Sequence, residues 1–129
     1  MSIRIIPLSE GVFTIGHDKF FVPFDDTIHE LQHRPKGSLL VEIQPFLVQA
    51  NGKNIIFDTG LGFKNEHGEM QLHVNLKKHH IEPLDIDMVI LSHLHKDHAG
   101  GIYQTNQLAI KELSFPNATY LIGKKEFEE

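Results

Sequence analysis

The chain opens with short apolar runs separated by turn residues, a pattern that predicts β-strands. Residues 3–8 and 12–15 are rich in β-branched side chains and are separated by a Ser-Glu-Gly turn, which predicts a hairpin. A second hairpin is predicted for residues 39–50 and 55–58, because the Asn51-Gly52 dipeptide between them tolerates the positive φ angles of a type I′ turn. The first half of the chain is therefore expected to be rich in antiparallel sheet.

The second half alternates between helical and extended patterns. Residues 69–81 place apolar side chains on one helical face and end in lysines, which predicts an amphipathic helix. Residues 88–91 form an unbroken apolar run, typical of a strand that is buried on both faces, and residues 118–122 predict another strand. The weak pattern of residues 102–111 favours a short helix, and residues 123–129 resemble the start of one.

An irregular segment separates the two predicted hairpins. Residues 16–38 lack a clear period, and only residues 27–33 favour one or two helical turns. A loop of this length in a small domain is usually a functional lid or a poorly ordered insertion. Its aromatic side chains, Phe20, Phe21 and Phe24, are candidates for a partly apolar substrate pocket, although a solvated connection explains the segment equally well.

Composition narrows the range of partners. With 129 residues, the chain is expected to form a single domain over residues 1–129. Its net charge of -5 argues against nucleic acid or an anionic membrane as a partner. Neither a run long enough to cross a bilayer nor a signal peptide is recognisable, so a cytoplasmic location is expected. Because cysteine is absent, nitrogen and oxygen atoms must hold any metal, and the 10 histidines suit that task.

A dense cluster of potential metal ligands follows the apolar run at residues 88–91. His93 and His95 are two positions apart, so in an extended segment their rings project to the same side, and Asp97 and His98 follow where the chain must turn. This is the carboxyl end of a buried strand, where α/β sheets usually place their chemistry. A chain of this composition contains the pattern by chance only about 0.003 times, which disfavours the alternative of a solvated histidine-rich loop.

These motifs carry a resemblance to a known family. The sequence SHLHKDHAGG at residues 92–101, together with FDTGLG at residues 57–62, resembles the metallo-β-lactamase superfamily of metal-dependent hydrolases. The run FPNA at residues 115–118, followed by Glu126, is similar to its branch of lactonases and related esterases and phosphotriesterases. The resemblance implies an α+β fold of the αββα type. This chain would be its amino-terminal half, with one mostly antiparallel mixed sheet flanked by helices.

The resemblance also implies a set of site residues. His93 and His95 would bind one divalent metal ion, and Asp97 and His98 would bind a second. Asp58 would orient a metal ligand without binding metal itself, whereas an ordinary turn residue is the alternative. Zinc is the expected metal, although manganese and iron accept the same ligand types. A hydroxide shared by the two metals would attack the substrate, with Asp97 as the catalytic residue that handles its proton.

The expected function is hydrolysis of a small-molecule lactone, ester or thioester. Two alternatives remain: a two-iron redox protein of the same fold, and a non-catalytic binding module with an incomplete metal site. Two metals need roughly six protein ligands, yet no histidine or aspartate follows His98, and His79 and His80 belong to the predicted helix. The chain is therefore expected to be truncated after its first half and weak as an enzyme alone. An uncovered apolar sheet face would favour a homodimer or other self-association.

Overall fold

The computed structural model describes residues 2–25, 27, 29–30, 37–106 and 108–125. None of the helices in these ranges has the length and apolar character needed to span a membrane. The elements follow one another as β1 (Ile3–Pro7), β2 (Gly11–Ile15), β3 (Phe21–Pro23), β4 (Leu39–Ile43), β5 (Phe46–Ala50), β6 (Lys53–Phe57), α1 (Gln71–Lys77), a 3₁₀ helix (Pro83–Asp85), β7 (Met88–Leu91), α2 (Lys96–Ala99), β8 (Tyr103–Thr105), β9 (Lys111–Leu113) and β10 (Thr119–Ile122).

The strands of the described residues are divided over three sheets. The largest has the order β1-β5-β6-β7-β10, in which β1, β5 and β6 pair antiparallel while β6, β7 and β10 pair parallel. A second sheet, β3-β2-β4, and a β8-β9 pair are antiparallel. The predicted class, mixed α and β with mostly antiparallel pairing, is confirmed, although the strands form three sheets instead of one.

One face of the five-stranded sheet forms the core. Side chains alternate between the two faces of a strand, so one residue from each strand contributes to a row across the sheet. Such a row joins Ile6, Leu47, Ile56 and Val89, which are at most 7% exposed. Burying a side chain of this size stabilises the fold by about 1.5–3 kcal/mol. The row belongs to one cluster with buried side chains from α1, from β7 and from connecting segments: Leu8, Met70, Leu72, Leu76, Ile81, Ile86, Leu91 and Phe115.

The opposite face of the same sheet is also apolar and is largely uncovered. Ile5 on β1 is 63% exposed, Phe57 on β6 is 40% exposed and Leu121 on β10 is 44% exposed. The uncovered face expected from the sequence is therefore present in the described residues, whereas self-association remains a prediction. On this uncovered face, one row of neighbouring side chains crosses all five strands: Pro7, Phe46, Phe57, Ile90 and Leu121.

The first predicted hairpin is wrong, because the chain changes sheet between its two strands. β1 pairs with β5, whereas β2 pairs with β3 and β4. The single strand predicted over residues 39–50 is in fact two strands, β4 and β5, which belong to different sheets. The division lies at Pro45, which has no N–H to donate to a ladder. The N–H of Leu8 donates to the carbonyl oxygen of Pro45 at 2.8 Å, so the two crossings lie side by side.

The second predicted hairpin is confirmed. β5 and β6 pair antiparallel around Asn51 and Gly52, whose φ angles of 53° and 72° suit a type I′ turn. The strands predicted over residues 88–91 and 118–122 are also present, as β7 and β10. The helix predicted over residues 69–81 is shorter, because α1 ends at Lys77 and the backbone turns before the 3₁₀ helix.

The short helix predicted for residues 102–111 is wrong. The segment forms the β8-β9 hairpin, and its loop is organised by a side chain. Asn106 Oδ1 accepts the N–H groups of Leu108 and Ile110 at 2.9 and 3.1 Å, a local bonding pattern that competes with helix formation. The helical turns predicted over residues 27–33 and 123–129, and Glu126 of the branch motif, lie wholly or largely outside the described residues.

Candidate metal centre

The five-stranded sheet brings two chain segments to one edge, where the candidate site lies. β6 and β7 are parallel neighbours with Phe57 beside Ile90, so their carboxyl ends reach the same edge. Asp58 directly follows β6, and residues 92–95 follow β7 before α2 begins. The parallel pairing therefore places Asp58 against the start of the ligand motif.

Three of the predicted ligands converge. His93, Asp97 and His98 each offer a donor atom within 4.8 Å of the others, and all three residues are half-buried. His98 Nε2 lies 3.3 Å from Asp97 Oδ2, and the ring centroids of His93 and His98 are 4.0 Å apart. Donors bound to one tetrahedral zinc at 2.0–2.1 Å are separated by roughly 3.4 Å. The donor set thus fits a divalent cation with small side-chain movements.

His95 is close to this cluster but is not part of it. Its ring centroid lies 4.7 Å from that of His93, and the residue is exposed at the end of the extended segment. The group of three donors does not include it. The assignment of His95 as a ligand therefore remains a prediction.

Asp58 contacts one of the clustered histidines, His98, at the ring nitrogen that does not face Asp97. Its Oδ1 accepts the N–H of Ser92 at 2.7 Å, and its Oδ2 lies 2.9 Å from His98 Nδ1. An ionised carboxylate can only accept, so His98 carries a proton on Nδ1, and in the neutral ring Nε2 is then without a proton. Because Nε2 is the atom that faces Asp97, the free lone pair points into the cluster. The predicted orienting role of Asp58 requires this contact.

A buried carboxylate supports the loop that carries Asp58. Glu10 is only 4% exposed, and its two oxygens accept the N–H groups of Leu61 and Phe63 at 2.7 and 3.0 Å. Burial raises the pKa of Glu10 above its ordinary value, against the opposing effect of these hydrogen bonds. In the same loop, the N–H of Thr59 donates to the carbonyl oxygen of His98 at 2.7 Å. Glu10 therefore fixes a loop that is attached to the ligand motif.

A cleft of about 660 Å³ lies beside the cluster. The structure brings only one of the three predicted pocket phenylalanines, Phe21, to its wall. Phe20 is 65% exposed, with the Lys96 ammonium 5.7 Å from its ring centroid, and Phe24 lines a separate cavity of about 620 Å³. The residues that line the cleft are Ile15, Gly16, His17, Lys19, Phe21, Gly37, Leu39, His95, Lys96 and Asp97.

Sequence reasoning missed two residues around the centre. The sequence predicts a hairpin turn around Glu10, and the only signal for another role is its position as a charged residue between two apolar runs. Ser92 belongs to the motif, and the sequence indicates no role for it, yet its Oγ lies 2.9 Å from Asp58 Oδ2 and 2.9 Å from His93 Nδ1. The sequence places Ser92 beside His93 but does not show that its hydroxyl group reaches Asp58.

Residues 42–104, which include Asp58 and all four predicted ligands of the motif, match the family model described as the metallo-beta-lactamase superfamily. This stretch of the chain is therefore similar to the metallo-beta-lactamase superfamily. This confirms the family predicted from the motifs at residues 57–62 and 92–101.

Solved structures of this superfamily share the fold. A probable metal-dependent hydrolase from Staphylococcus aureus aligns with 98% of the chain at 25% identity and a TM-score of 0.68, and the chain covers 48% of it. AidC, a dizinc quorum-quenching lactonase in complex with a product N-hexanoyl-L-homoserine, aligns with 98% of the chain at 28% identity and a TM-score of 0.68, with 44% of its own length covered.

Two curated relatives match shorter stretches. The N-acyl homoserine lactonase AttM of Azorhizobium caulinodans is 40% identical over 48 residues, which are 37% of this chain and 14% of that protein. The 7,8-dihydropterin-6-methyl-4-(beta-D-ribofuranosyl)-aminobenzene-5'-phosphate synthase of Methanocaldococcus jannaschii is 41% identical over 68 residues, which are 51% of this chain and 21% of that protein. The chain thus spans less than half of the length of each of these relatives.

Proposed function

We propose that this chain carries the metal-binding part of a hydrolase that opens lactones or cleaves related esters and thioesters. The observation that carries the proposal is that His93, Asp97 and His98 offer donor atoms within 4.8 Å of one another, while Asp58 contacts Nδ1 of His98. Asp58 is half-buried, and a solvated histidine would not need a carboxylate partner of this kind. The family match and the lactonases among the relatives support hydrolysis as the reaction type.

The proposed cofactors are two divalent metal ions, most favourably zinc. His93 and His95 would hold one ion, and Asp97 and His98 would hold the other. Imidazole and carboxylate donors without a thiolate suit zinc and also accept manganese or iron. When bound, such ions lower the pKa of water and polarise a carbonyl group. The relative AidC is described as a dizinc protein, which favours zinc for this chain as well.

Asp97 is the proposed proton carrier. Its side chain lines the 660 Å³ cleft and also a smaller cavity of about 250 Å³ that Asp58 and His98 share. A carboxylate between two cavities can meet a substrate on one side and contact His98 Nε2 on the other. In hydrolysis, Asp97 would take a proton from the attacking water and return it to the leaving oxygen.

The cleft suggests the substrate class. Ile15, Phe21 and Leu39 give it an apolar wall, and Lys19 and Lys96 add positive charge beside it. An acyl chain fits the wall, and the carboxylate that forms when a lactone opens fits the lysines. Together with the two lactonases among the relatives, this favours an N-acyl lactone over a small polar ester.

The test combines metal analysis with a substrate series. The full-length gene product is expected to contain zinc by elemental mass spectrometry and to open N-acyl lactones, with KM falling as the acyl chain lengthens. Phe21→Ala should raise KM for the long-chain lactone, whereas Phe24→Ala is the matched control, because Phe24 lines the other cavity. Zinc-loaded protein that hydrolyses no lactone, ester or thioester would refute the proposal. Iron with reductant-dependent activity would favour the two-iron alternative, and absence of metal would favour a binding module.

A second candidate is synthase chemistry on a phosphate-bearing substrate. The Methanocaldococcus jannaschii relative matches the longer stretch of this chain, and its name describes a synthase of a phosphate ester. The lysines that line the cleft would suit a phosphate group as well as a carboxylate. Binding of a phosphate-bearing pterin derivative to protein that fails to hydrolyse lactones would favour this candidate.

A further inference from the structure

Ser92 lies between the Asp58 carboxylate and the first histidine of the motif. Its N–H donates to Asp58 Oδ1 at 2.7 Å, and its Oγ lies 2.9 Å from Asp58 Oδ2. The same Oγ lies 2.9 Å from His93 Nδ1. The serine therefore makes three contacts of hydrogen-bond length although it is exposed, where water could have satisfied its hydroxyl group.

The positions of the protons follow from this network. Asp58 only accepts, so the Ser92 hydroxyl must donate its single proton to Asp58 Oδ2. Ser92 Oγ then has only lone pairs to offer to His93, and a 2.9 Å contact with Nδ1 requires that Nδ1 carries a proton. In neutral His93 the other ring nitrogen, Nε2, is left without a proton and free to bind metal.

We propose that Ser92 is a positioning residue that extends the influence of Asp58 to His93 and keeps the His93 proton on Nδ1. One carboxylate would then set the tautomers of two candidate ligands, His98 directly and His93 through the serine hydroxyl. Metal-binding histidines commonly need such a partner on their second nitrogen, and its loss typically weakens metal binding about 10- to 100-fold. The inference deepens the proposed function, because it concerns the same candidate metal site.

The tautomer of His93 can be measured without metal or substrate. In the metal-free protein, well above the ordinary histidine pKa of about 6.5, nitrogen NMR of the imidazoles distinguishes a protonated Nδ1 from a protonated Nε2. We expect His93 and His98 both to carry the proton on Nδ1. In Ser92→Ala, His98 should be unchanged because its contact with Asp58 remains, whereas His93 should become a mixture of tautomers.

Zinc affinity provides a second readout. Ser92→Ala should weaken zinc binding about 10-fold. Ser92→Thr retains a hydroxyl group and should restore both the tautomer of His93 and the affinity. Ser114→Ala is the matched control: Ser114 is 1% exposed, and its hydroxyl has no hydrogen-bond partner in the described part of the chain. This control should change neither readout.

Three outcomes would overturn the inference. The first is a wild-type protein in which His93 carries its proton on Nε2, a result that does not depend on any variant folding. The second is a Ser92→Ala protein with an unchanged His93 tautomer and unchanged zinc affinity. The third is failure of Ser92→Thr to restore either property. A zinc-loaded protein that hydrolyses no lactone, ester or thioester but shows the expected tautomers would refute the proposed function and leave this inference standing.

Discussion

Replacing Gly60 with alanine tests how strongly the fold depends on the loop behind the metal centre. Gly60 has a φ of 67°, and its two neighbours in the chain are Thr59 and Leu61. A Cβ at this position would overlap Glu10 Oε1 and lie 2.6 Å from Glu10 Cδ. The alanine variant therefore carries two penalties, one in its own backbone and one in the position of the buried carboxylate.

The size of the effect follows from these two terms. A left-handed conformation costs an L-residue about 1–2 kcal/mol. To admit the methyl group, Glu10 must move and lose a hydrogen bond to the N–H of Leu61 or Phe63, and bonds to a charged group contribute about 1.5–3 kcal/mol each. Gly60→Ala should therefore lower the free energy of unfolding by about 2.5–5 kcal/mol.

Gly68→Ala separates the two terms. Gly68 has a similar φ of 76°, but a Cβ built on it meets no atom within 4 Å. Its replacement should cost only the backbone term of about 1–2 kcal/mol. Urea unfolding of both variants and the wild type gives the comparison directly. If Gly60→Ala lowered stability no more than Gly68→Ala, the carboxylate would not be held as rigidly as its two short hydrogen bonds indicate.

Three further predictions concern carboxylates. Asp58→Asn should weaken zinc binding about 10- to 100-fold, because the side-chain amide cannot accept hydrogen bonds from all of the donors that the carboxylate serves. Asp87→Asn is the control, because Asp87 lies at the opposite end of the strands, and it should leave zinc binding unchanged. Isothermal titration measures the zinc affinity of both variants. Asp97→Asn should lower kcat for lactone hydrolysis far more than His79→Ala, and equal losses would contradict the assigned proton transfer. Because burial raises the pKa of Glu10 above 4.5, protonation of Glu10 favours the folded state, and this contribution to stability is complete below pH 4.5 and is lost as pH rises through the raised pKa. Urea unfolding should therefore show the wild type gaining stability relative to Glu10→Gln on acidification. A stability difference that does not change with pH would be contrary evidence.

The features that could be predicted from the sequence depend on residues that are close together in the chain. The Asn51-Gly52 turn needs only the two residues that form it. His93, Asp97 and His98 lie within six positions, so a strand end followed by a turn was sufficient to predict that they converge. The position of Asp58 was also accessible, because it directly follows a recognisable strand.

The features that could not be predicted depend on contacts between distant residues. Glu10 is about 50 positions from the amides of Leu61 and Phe63, and no local pattern indicates that a turn glutamate will be buried against them. The first hairpin failed for a related reason. Alternation along residues 3–8 and 12–15 is compatible with mutual pairing, but the first segment pairs with β5 and the second with β4, which lie on either side of Pro45 and belong to different sheets.

The proton arrangement of the metal centre ultimately depends on the register between β6 and β7. Asp58 reaches both Ser92 and His98 because Phe57 lies beside Ile90 at the carboxyl end of this parallel pair. At the other end, the Asp87 carboxylate accepts the N–H of Asn54 at 2.8 Å. A slip of one residue would turn every side chain of one strand to the opposite face and move Asp58 away from the motif. The same register that buries Ile56 beside Val89 in the core thus sets which nitrogen of His98 is free to bind a metal.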